Sequence, residues 1–477
     1  MPDGNLPKQR INCYSAIARV YVRESKNNMN YKIGVFVTVL LVALGTSVAA
    51  QRLSESSVTR DTVLAWARQF ATAEPGFEPG ASLSHEEVEQ ARAFLPPGYF
   101  EEIVFPDIDL KIVAPGDYSP HPDFQAATER YAGQTRLADD GSLVNYVAGT
   151  PFPMGELDTM DARSGLKLAW NFNFRWQHFG QRIDELYIAL VKPGGAVIAP
   201  SGVPEDFLVG GGTFERVIVE EYQRVYFTHV ATLEKSNYAL PAANALEFEW
   251  KDYLEFTDPY DMRGQRMVVQ RASDPHLTDQ AWSYVPSLRR VRRFSAEEKS
   301  DSFFGTESTL DDFYGFSGRV LEHDWKFHGA KDLLHVMDSE HSIARYYGPY
   351  SRVPKDRWQV RSCLILEQIP QKPNYPYSSK LLFVDRQTAV VTVAMAFDRE
   401  GRLWKIWNHV NSWSEDAQDL PERNKGTFVS RFLGVATIDV KSDRATLLTT
   451  VGTDYPAVDP EEVDELFNLN KLTEGRR

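Results

Sequence analysis

Four histidines that lie close together in the chain are its best candidate for a metal site. They are His323, His328, His335 and His341, with spacings of 5, 7 and 6 residues. These spacings match no named zinc site, and such sites usually include cysteine ligands. His323 and His328 also fall in a strand-like segment, where an odd separation places side chains on opposite faces. We therefore expect ordinary polar or core histidines here, and no metal site.

Adjacent carboxylates are the second arrangement that could carry chemistry. The pairs Glu220-Glu221 and Asp311-Asp312 are direct neighbours in sequence. Neighbouring side chains of a strand point to opposite faces, so we expect these pairs to be solvated and not to form a catalytic dyad. The chain also lacks a Gly-x-Ser-x-Gly elbow, a His-Glu-x-x-His motif and a P-loop. Catalysis by scattered residues stays open.

The charge balance excludes one class of partner. The 477-residue chain has a formal charge of -14, and residues 1–50 contribute +4 of the total, so residues 51–477 carry -18. A surface this acidic repels phosphate backbones, so nucleic acid is not an expected partner. Cys363 is the single cysteine of residues 51–477. No internal disulfide is possible there, and its apolar neighbours predict a buried, inert thiol.

Residues 29–50 are typical of a cleavable secretory signal. Lys32 supplies a positive charge, Ile33 to Gly45 is an uncharged apolar run, and Val48-Ala49-Ala50 offers small residues for cleavage. The apolar run is shorter than the roughly 20 residues of a membrane-spanning helix. Because Met29 stands where a signal peptide would begin, we interpret residues 1–28 as an over-called start.

The remaining chain predicts a helical segment followed by a large sheet. Residues 51–100 contain helix formers and a capping box at Ser84-x-x-Glu87, so we expect helices that wrap the main domain. Residues 101–477 are expected to form one mainly β (α+β) domain, an antiparallel half-open β-barrel with peripheral helices. Hairpin-length links support a meander. The predicted strands are Phe214–Val230, Leu246–Phe256, Gly264–Ala272, Trp282–Tyr284, Arg289–Phe294, Val320–Phe327, Trp358–Ile369, Lys380–Val384, Ala389–Asp398, Leu403–His409 and Phe428–Val440.

Aromatic residues make up 12% of the chain and recur in most of these strands. One reading is that the sheet simply fills its own core. The other is that an apolar face, which must be covered by something, holds an apolar ligand. The alternation from Leu246 through Phe248 to Trp250 favours the second reading. The candidate ligand-binding residues are Leu246, Phe248, Trp250, Trp282, Tyr284, Met395, Phe397 and Trp404.

Several long strings resemble an uncharacterised family of exported Gram-negative proteins that carry a domain of unknown function. They are PGDYSPHPDFQAATERYAGQTRL (115–137), YVAGTPFP (146–153), SGLKLAWNFNFRWQ (164–177), WSYVPSLRRVRR (282–293), DDFYGFSG (311–318) and YPYSSKLLFVDRQT (375–388). That family is similar in fold to the LolA/LolB-type carriers of outer-membrane lipoproteins, half-open barrels lined with apolar side chains. The resemblance implies binding and transfer of a lipid or another apolar molecule. It also implies that residues 301–313 lie near the barrel mouth.

The sequence therefore predicts a periplasmic binding or carrier protein for a lipid-like or other apolar ligand. It would work with an envelope transporter or an outer-membrane protein and would need no cofactor. An envelope hydrolase that uses cavity carboxylates or histidines is the first alternative. A purely structural envelope protein is the second.

The cleavage pattern predicts that the mature protein begins at Gln51. Val48-Ala49-Ala50 places small residues at the right distance from the apolar run. N-terminal sequencing of periplasmic material should read Gln51 first. An intact Met29 in a membrane fraction would contradict this prediction.

Overall fold

The computed structural model describes residues 57–194, 202–242, 244–294, 301–455 and 459–474. The predicted start region, signal peptide and cleavage site lie outside these ranges. No helix among the described residues is both long and apolar enough to cross a membrane. The α-helices are α1 (Arg60–Gln69), α2 (Tyr99–Ile103), α3 (Pro122–Arg130), α4 (Ser164–Asn173) and α5 (Pro460–Leu466), and a 3₁₀ helix spans Val88–Phe94.

Most of the ordered structure is β-strand, as the sequence predicts. The four strands before α4 are short: β1 (Ser82–Leu83), β2 (Leu110–Ile112), β3 (Arg136–Leu137) and β4 (Leu143–Val144). The strands after α4 are β5 (Gly180–Lys192), β6 (Thr213–Tyr226), β7 (Phe248–Asp258), β8 (Arg266–Ala272), β9 (Gln280–Val285), β10 (Arg290–Phe294), β11 (His323–His335), β12 (Tyr346–Tyr347), β13 (Val353–Pro354), β14 (Arg357–Pro370), β15 (Ser379–Asp385), β16 (Val391–Phe397), β17 (Leu403–Trp413), β18 (Ser430–Asp439) and β19 (Arg444–Asp454).

One sheet of 15 strands organises the domain. Its order is β1-β2-β14-β15-β16-β17-β18-β19-β5-β6-β7-β8-β9-β10, and β11 pairs with β14 beside this path. Two antiparallel meanders, β5 to β10 and β14 to β19, are joined where β19 pairs with β5. The long strands are all antiparallel, and the contact between β2 and β14 is parallel. The predicted antiparallel, mainly β architecture is confirmed, but among the described residues the sheet does not close on itself.

The predicted strands are confirmed with shifts at their ends, but several other elements were not predicted. Among the missed elements are the long strands β5 and β19 and the helix α4, which precedes the first predicted strand. α4 is apolar on several sides, with buried Leu168, Trp170 and Phe172, so it lacks the polar stripe of a surface helix. The capping box at Ser84 and Glu87 precedes a 3₁₀ helix and not an α-helix.

Both faces of the central sheet are buried, although the alternation at Leu246, Phe248 and Trp250 is typical of strands buried on one face only. Every residue of β15 and of β16 is buried. We call the face that carries α4 the inner face and the opposite face the outer face. α1, α2 and the segment Val88–Phe94 cover the outer face, and α5 covers its β6–β9 part. Strands buried on two sides need continuous apolar sequence, which explains the VTVAMAF run of β16.

A segment that we call the strap, residues 301–318, lies across the inner face. Its aromatic rings pack on the sheet: Phe304 lies 4.9 Å from Phe256, and Phe313 lies 6.3 Å from Tyr222, between ring centroids. The strap is the segment that the family resemblance implied to lie near a barrel mouth. Its position on the sheet makes it a cover of the inner face.

A buried ion pair fastens the strap to β15. Lys380 Nζ lies 2.5 Å from Asp312 Oδ1, and both side chains are at most 2% exposed. Tyr377 donates its hydroxyl to Asp312 Oδ2 at 2.9 Å, and the Thr309 backbone N–H donates to the same oxygen at 2.8 Å. Asp312 is therefore fully bonded as long as Lys380 is present.

We expect Lys380→Met to lower the free energy of unfolding by about 3–5 kcal/mol, because it leaves the Asp312 carboxylate buried without a cation. The matched control is Lys372→Met, which breaks a 3.0 Å pair with Glu322 on the surface. That change should cost about 0–1 kcal/mol. Urea unfolding measures both. Equal effects of the two substitutions would contradict the buried anchor.

Candidate functional site

Three cavities lie in a row on the inner face, beneath the C-terminal end of α4. The helix can approach the sheet closely because residue 165 is glycine. A Cβ atom there would lie 2.5 Å from the backbone carbon of Trp325 in β11. α4 ends at Asn173, and the chain that follows, Phe174 to Gln177, passes directly over the cavities. The FNFRWQ part of a string that supported the family resemblance thus forms part of their roof.

The largest of these cavities has a volume of about 160 Å³. That is close to the roughly 150 Å³ of an engineered protein cavity that binds benzene. Aromatic rings and charged groups share its wall, so it is not the purely apolar cavity that the sequence led us to expect. The lining residues are Leu143, Asn145, Tyr146, Trp170, Asn173, Phe174, His229, Glu249, Arg271, Ser273, Pro275, Arg319 and Val320.

A β-bulge brings Glu249 into this cavity. The pairing of β7 with β8 shifts register between Phe248 and Trp250, so Phe248 and Trp250 lie on opposite faces. Glu249 accepts a hydrogen bond from Asn173 Nδ2 at 2.9 Å. Burial raises the pKa of Glu249, and the nearby guanidinium groups of Arg271 and Arg319 oppose that shift.

Buried arginine–aspartate pairs line the inner face next to the cavity. Arg271 Nη2 donates to Asp279 Oδ2 at 2.8 Å, and Arg319 Nε lies 2.7 Å from Asp279 Oδ1. The guanidinium carbon of Arg271 is 4.5 Å from the ring centroid of Trp250. Arg224 approaches the same ring to 3.9 Å. Two cations against one indole fix the orientation of Trp250.

A smaller chamber of about 30 Å³ lies further along the row. Its wall combines polar side chains with the apolar Val390, Val391, Val429 and Phe432, and comes mainly from β5, β6, β16 to β18 and the strap. Its lining includes Arg175, Gln177, Gln181, Arg224, Tyr226, Tyr314, His409, Asn411, Ser430 and Tyr455. Burial lowers the pKa of His409 to about 3, so this imidazole is neutral. Gln181 Nε2 donates to the Tyr314 hydroxyl, which holds the strap residue in the chamber wall.

The eight predicted ligand-binding residues do not come together. Trp250 lines a separate space of about 30 Å³ that is not one of the three in the row, beside Arg224 and the strap. Leu246 lies in a short 3₁₀ turn and is 67% exposed. The bulge and two-sided burial explain the scatter, because sequence alternation alone cannot assign a face. On the outer face lie Phe248, Trp282, Tyr284, Met395 and Phe397, and Trp404 packs against the inner-face core.

The four histidines also remain separate. His328 pairs with Glu367 at 2.8 Å, and His335 bonds to Asn411 at 3.1 Å. His323 is buried, and burial lowers its pKa to about 3. His341 lies with Glu340 and Asp356, their potential ligand atoms within 4.8 Å of one another. The sequence did not suggest this group, because its members come from two different segments.

Glu220 departs most from the sequence prediction. We expected a solvated carboxylate, but its side chain is fully buried on the inner face, between Leu186 of β5 and Phe256 of β7. Neither of its carboxyl oxygens has a hydrogen-bond partner among the described residues. Burial raises its pKa to about 8. The prediction of solvated carboxylates was also wrong for Asp311 and Asp312, which belong to the strap and are both buried.

Comparison with known families gives one match. The profile of a family described as "Protein of unknown function (DUF1329)" matches residues 82–472. A search of curated proteins found no match. The predicted resemblance to an uncharacterised family of this kind is confirmed.

Solved structures give further similarities. A domain named for outer membrane lipoprotein sorting, from Vibrio parahaemolyticus, is 18% identical over 66% of this chain and 100% of its own, with a TM-score of 0.42. A DUF1329 family protein from Desulfovibrio piger is 15% identical over 65% of this chain and 98% of its own, with a TM-score of 0.42. A LolA superfamily protein from Nitrosomonas europaea is 14% identical over 65% of this chain and 98% of its own, with a TM-score of 0.35.

The raised pKa of Glu220 predicts a pH dependence of stability. The unfolded chain releases this proton near pH 4.5, whereas the folded chain keeps it up to about pH 8. The folded state therefore binds more protons in this window, and its stability falls as pH rises from about 4.5 to 8.

We expect Glu220→Gln to remove this fall. Its stability relative to wild type should increase across the window by a few kcal/mol, since one pKa unit corresponds to about 1.4 kcal/mol. Urea unfolding between pH 5 and 8.5 measures the difference. Glu86→Gln, at an exposed position, controls for the loss of a carboxylate. A difference that stays constant with pH would contradict a neutral buried Glu220.

Proposed function

We propose that this chain, which belongs to the DUF1329 family of proteins of unknown function, binds and carries an amphipathic, lipid-like molecule on the inner face of its sheet. The observation that carries the proposal is the row of cavities beneath residues 173–177, in which aromatic rings and buried charges share the walls. Ligand sites typically combine an apolar wall with a few convergent polar groups.

The size of the row favours a ligand with a compact apolar part. The 160 Å³ cavity has room for a ring or a short chain of about six carbons, by comparison with a cavity that holds benzene. A longer acyl chain would have to displace the strap, whose Phe303, Phe304 and Phe313 occupy the neighbouring part of the inner face. Burying such a chain would recover about 0.8 kcal/mol per methylene.

The same proposal includes the shape and location of the carrier. We propose that the open sheet curves around the row as a half-open barrel, with α4 and the strap as its cover. In the periplasm, such a carrier would exchange its cargo with an envelope transporter or an outer-membrane protein. A hydrolase is less well supported, because buried His335 and His409 have lowered pKa values through burial and bond to Asn411 and to the Thr392 carbonyl.

Dye displacement tests the proposal. We expect residues 51–477 to bind the neutral dye N-phenyl-1-naphthylamine saturably and to release it when a fatty acid or phospholipid is added. Ser273→Phe should weaken dye binding by about tenfold or more, because Ser273 lines the 160 Å³ cavity and the added ring would fill it. Ser236→Phe adds the same ring at an exposed position and should leave binding unchanged.

Native extraction gives an independent measurement. Protein purified without detergent should carry an amphipathic molecule that appears in the mass spectrum of an organic extract. If the folded wild type neither binds dye nor carries such a molecule, the carrier function is wrong and a structural role gains support.

A further inference from the structure

The 30 Å³ chamber contains a guanidinium group without a carboxylate partner. Arg175 Nη1 donates to the Phe172 carbonyl at 2.9 Å, and Nη2 donates to Gln177 Oε1 at 3.2 Å. Its guanidinium carbon lies 4.3 Å from the ring centroid of Phe172. All of these partners are neutral, and no acidic side chain among the described residues compensates the charge. Arg175 is half-buried, so its charge is partly removed from water without a counter-charge, which is unfavourable.

Arg224, on the other side of the chamber, shows the contrast. Its Nε and Nη2 donate to the two oxygens of Asp252, each at 2.7 Å. This bidentate pair has no net charge. Since His409 is neutral as well, the chamber keeps one uncompensated positive charge, which belongs to Arg175.

Two hydroxyl groups give independent evidence that the chamber lacks a binding partner. Tyr455 and Ser430 line the chamber, and neither Tyr455 Oη nor Ser430 Oγ has a hydrogen-bond partner among the described residues. Tyr455 is only 3% exposed. Buried hydroxyl groups normally find a partner, so two without one in a single chamber indicate a missing hydrogen-bonding group. Each can donate, as can the remaining N–H groups of Arg175.

The volume of the chamber limits the size of the missing hydrogen-bonding group. A cavity needs roughly 10–15 Å³ to hold one water molecule, so about 30 Å³ has room for two waters or for a carboxylate. A carboxylate accepts hydrogen bonds only and carries the compensating charge. Two waters would satisfy the hydroxyl groups but would leave the charge of Arg175 uncompensated.

The chamber and the larger cavity are neighbours in the row and are linked through residues that line more than one space. A middle space of about 30 Å³ lies between them, and Arg175, Gln177 and Tyr226 line both this middle space and the chamber. Asn173, Phe174, His229 and Glu249 line both that middle space and the 160 Å³ cavity. A molecule with one charged end could therefore lie along the row, with its body beneath Phe174 and its charged end at Arg175.

We propose that the Arg175 chamber binds the carboxylate of an amphiphile whose apolar body occupies the 160 Å³ cavity. This inference rests on the proposed function and narrows its ligand to anionic amphiphiles with a carboxylate head group. Arg175 supplies the charge, and Tyr455 and Ser430 supply hydrogen bonds.

Three probes separate the contribution of the head group to binding from that of the apolar body. Their affinities are measured by displacement of N-phenyl-1-naphthylamine from residues 51–477. The probes are octanoate, its neutral ester methyl octanoate, and acetate, which has the head group alone. We expect octanoate to bind about tenfold or more tightly than methyl octanoate, because only octanoate pairs with Arg175. Acetate should bind far more weakly than octanoate, because it leaves the larger cavity unfilled.

Variants assign the difference to individual groups. Arg175→Gln should weaken octanoate binding by about tenfold and leave methyl octanoate unchanged. Tyr455→Phe keeps the ring and removes one hydrogen bond, so it should weaken octanoate by roughly threefold to tenfold. Arg182→Gln removes an arginine that pairs with Asp184 on the surface and should change neither ligand. If Arg175→Gln does not fold, the ratio of octanoate to methyl octanoate affinity in the wild type and the octanoate affinity of Tyr455→Phe still test the carboxylate site.

The outcomes distinguish the two proposals. Equal binding of octanoate and methyl octanoate in the wild type would overturn the carboxylate site and leave the carrier function standing. Acetate binding as tight as octanoate would overturn the link between chamber and cavity. If neither the dye nor any of the eight-carbon probes binds, the proposed function itself is wrong.

Discussion

The unfavourable transfer of charge from water to protein governs the inner face of this sheet. Charged residues occur there at positions where a strand of this depth would ordinarily carry apolar side chains. Most are compensated locally: Asp312 by Lys380, Asp252 by Arg224, and Asp279 by Arg271 and Arg319. The pairs join neighbouring strands or join the strap to the sheet, so they set where the strap lies and how β6, β7 and β8 face it. Buried pairs of this kind contribute more to a defined arrangement than to net stability.

Two charged residues do not follow this pattern. Glu220 and Arg175 lie on the same face without a counter-charge among the described residues. Glu220 can escape the cost of burial by keeping its proton. A guanidinium cannot lose its proton in this way, because its pKa is far above the pH of any cell. The uncompensated charge of Arg175 is therefore the one that calls for a partner from outside the described chain.

Sequence reasoning predicted the meander because it depends on local signals. The hairpin links at Asp398–Gly401 and Asp385–Thr388 combine turn residues with flanking apolar strands, and both are present. Which residues meet across the sheet depends on register, and one bulge at Phe248–Trp250 moved Glu249 into the cavity. α4 was missed because a helix buried between a sheet and loops lacks amphipathic periodicity. The chamber beside Arg175 is lined by residues of β5, β6, β17, β18 and the strap. No local sequence pattern contains this combination of elements.

The seam between β19 and β5 has a consequence for how the chain folds. Ala445 pairs with Val191, so the two halves of the sheet meet through strands about 250 residues apart in sequence. Contacts of this separation form late and slow the search for the native state. Until β19 arrives, β5 presents an unpaired edge whose neighbouring residues Leu186 to Val191 are all apolar. Such an edge is a template for pairing with other chains. The interval before β19 pairs with β5 is thus a period in which this edge is open to other chains, and in which a chaperone that covers it would limit aggregation.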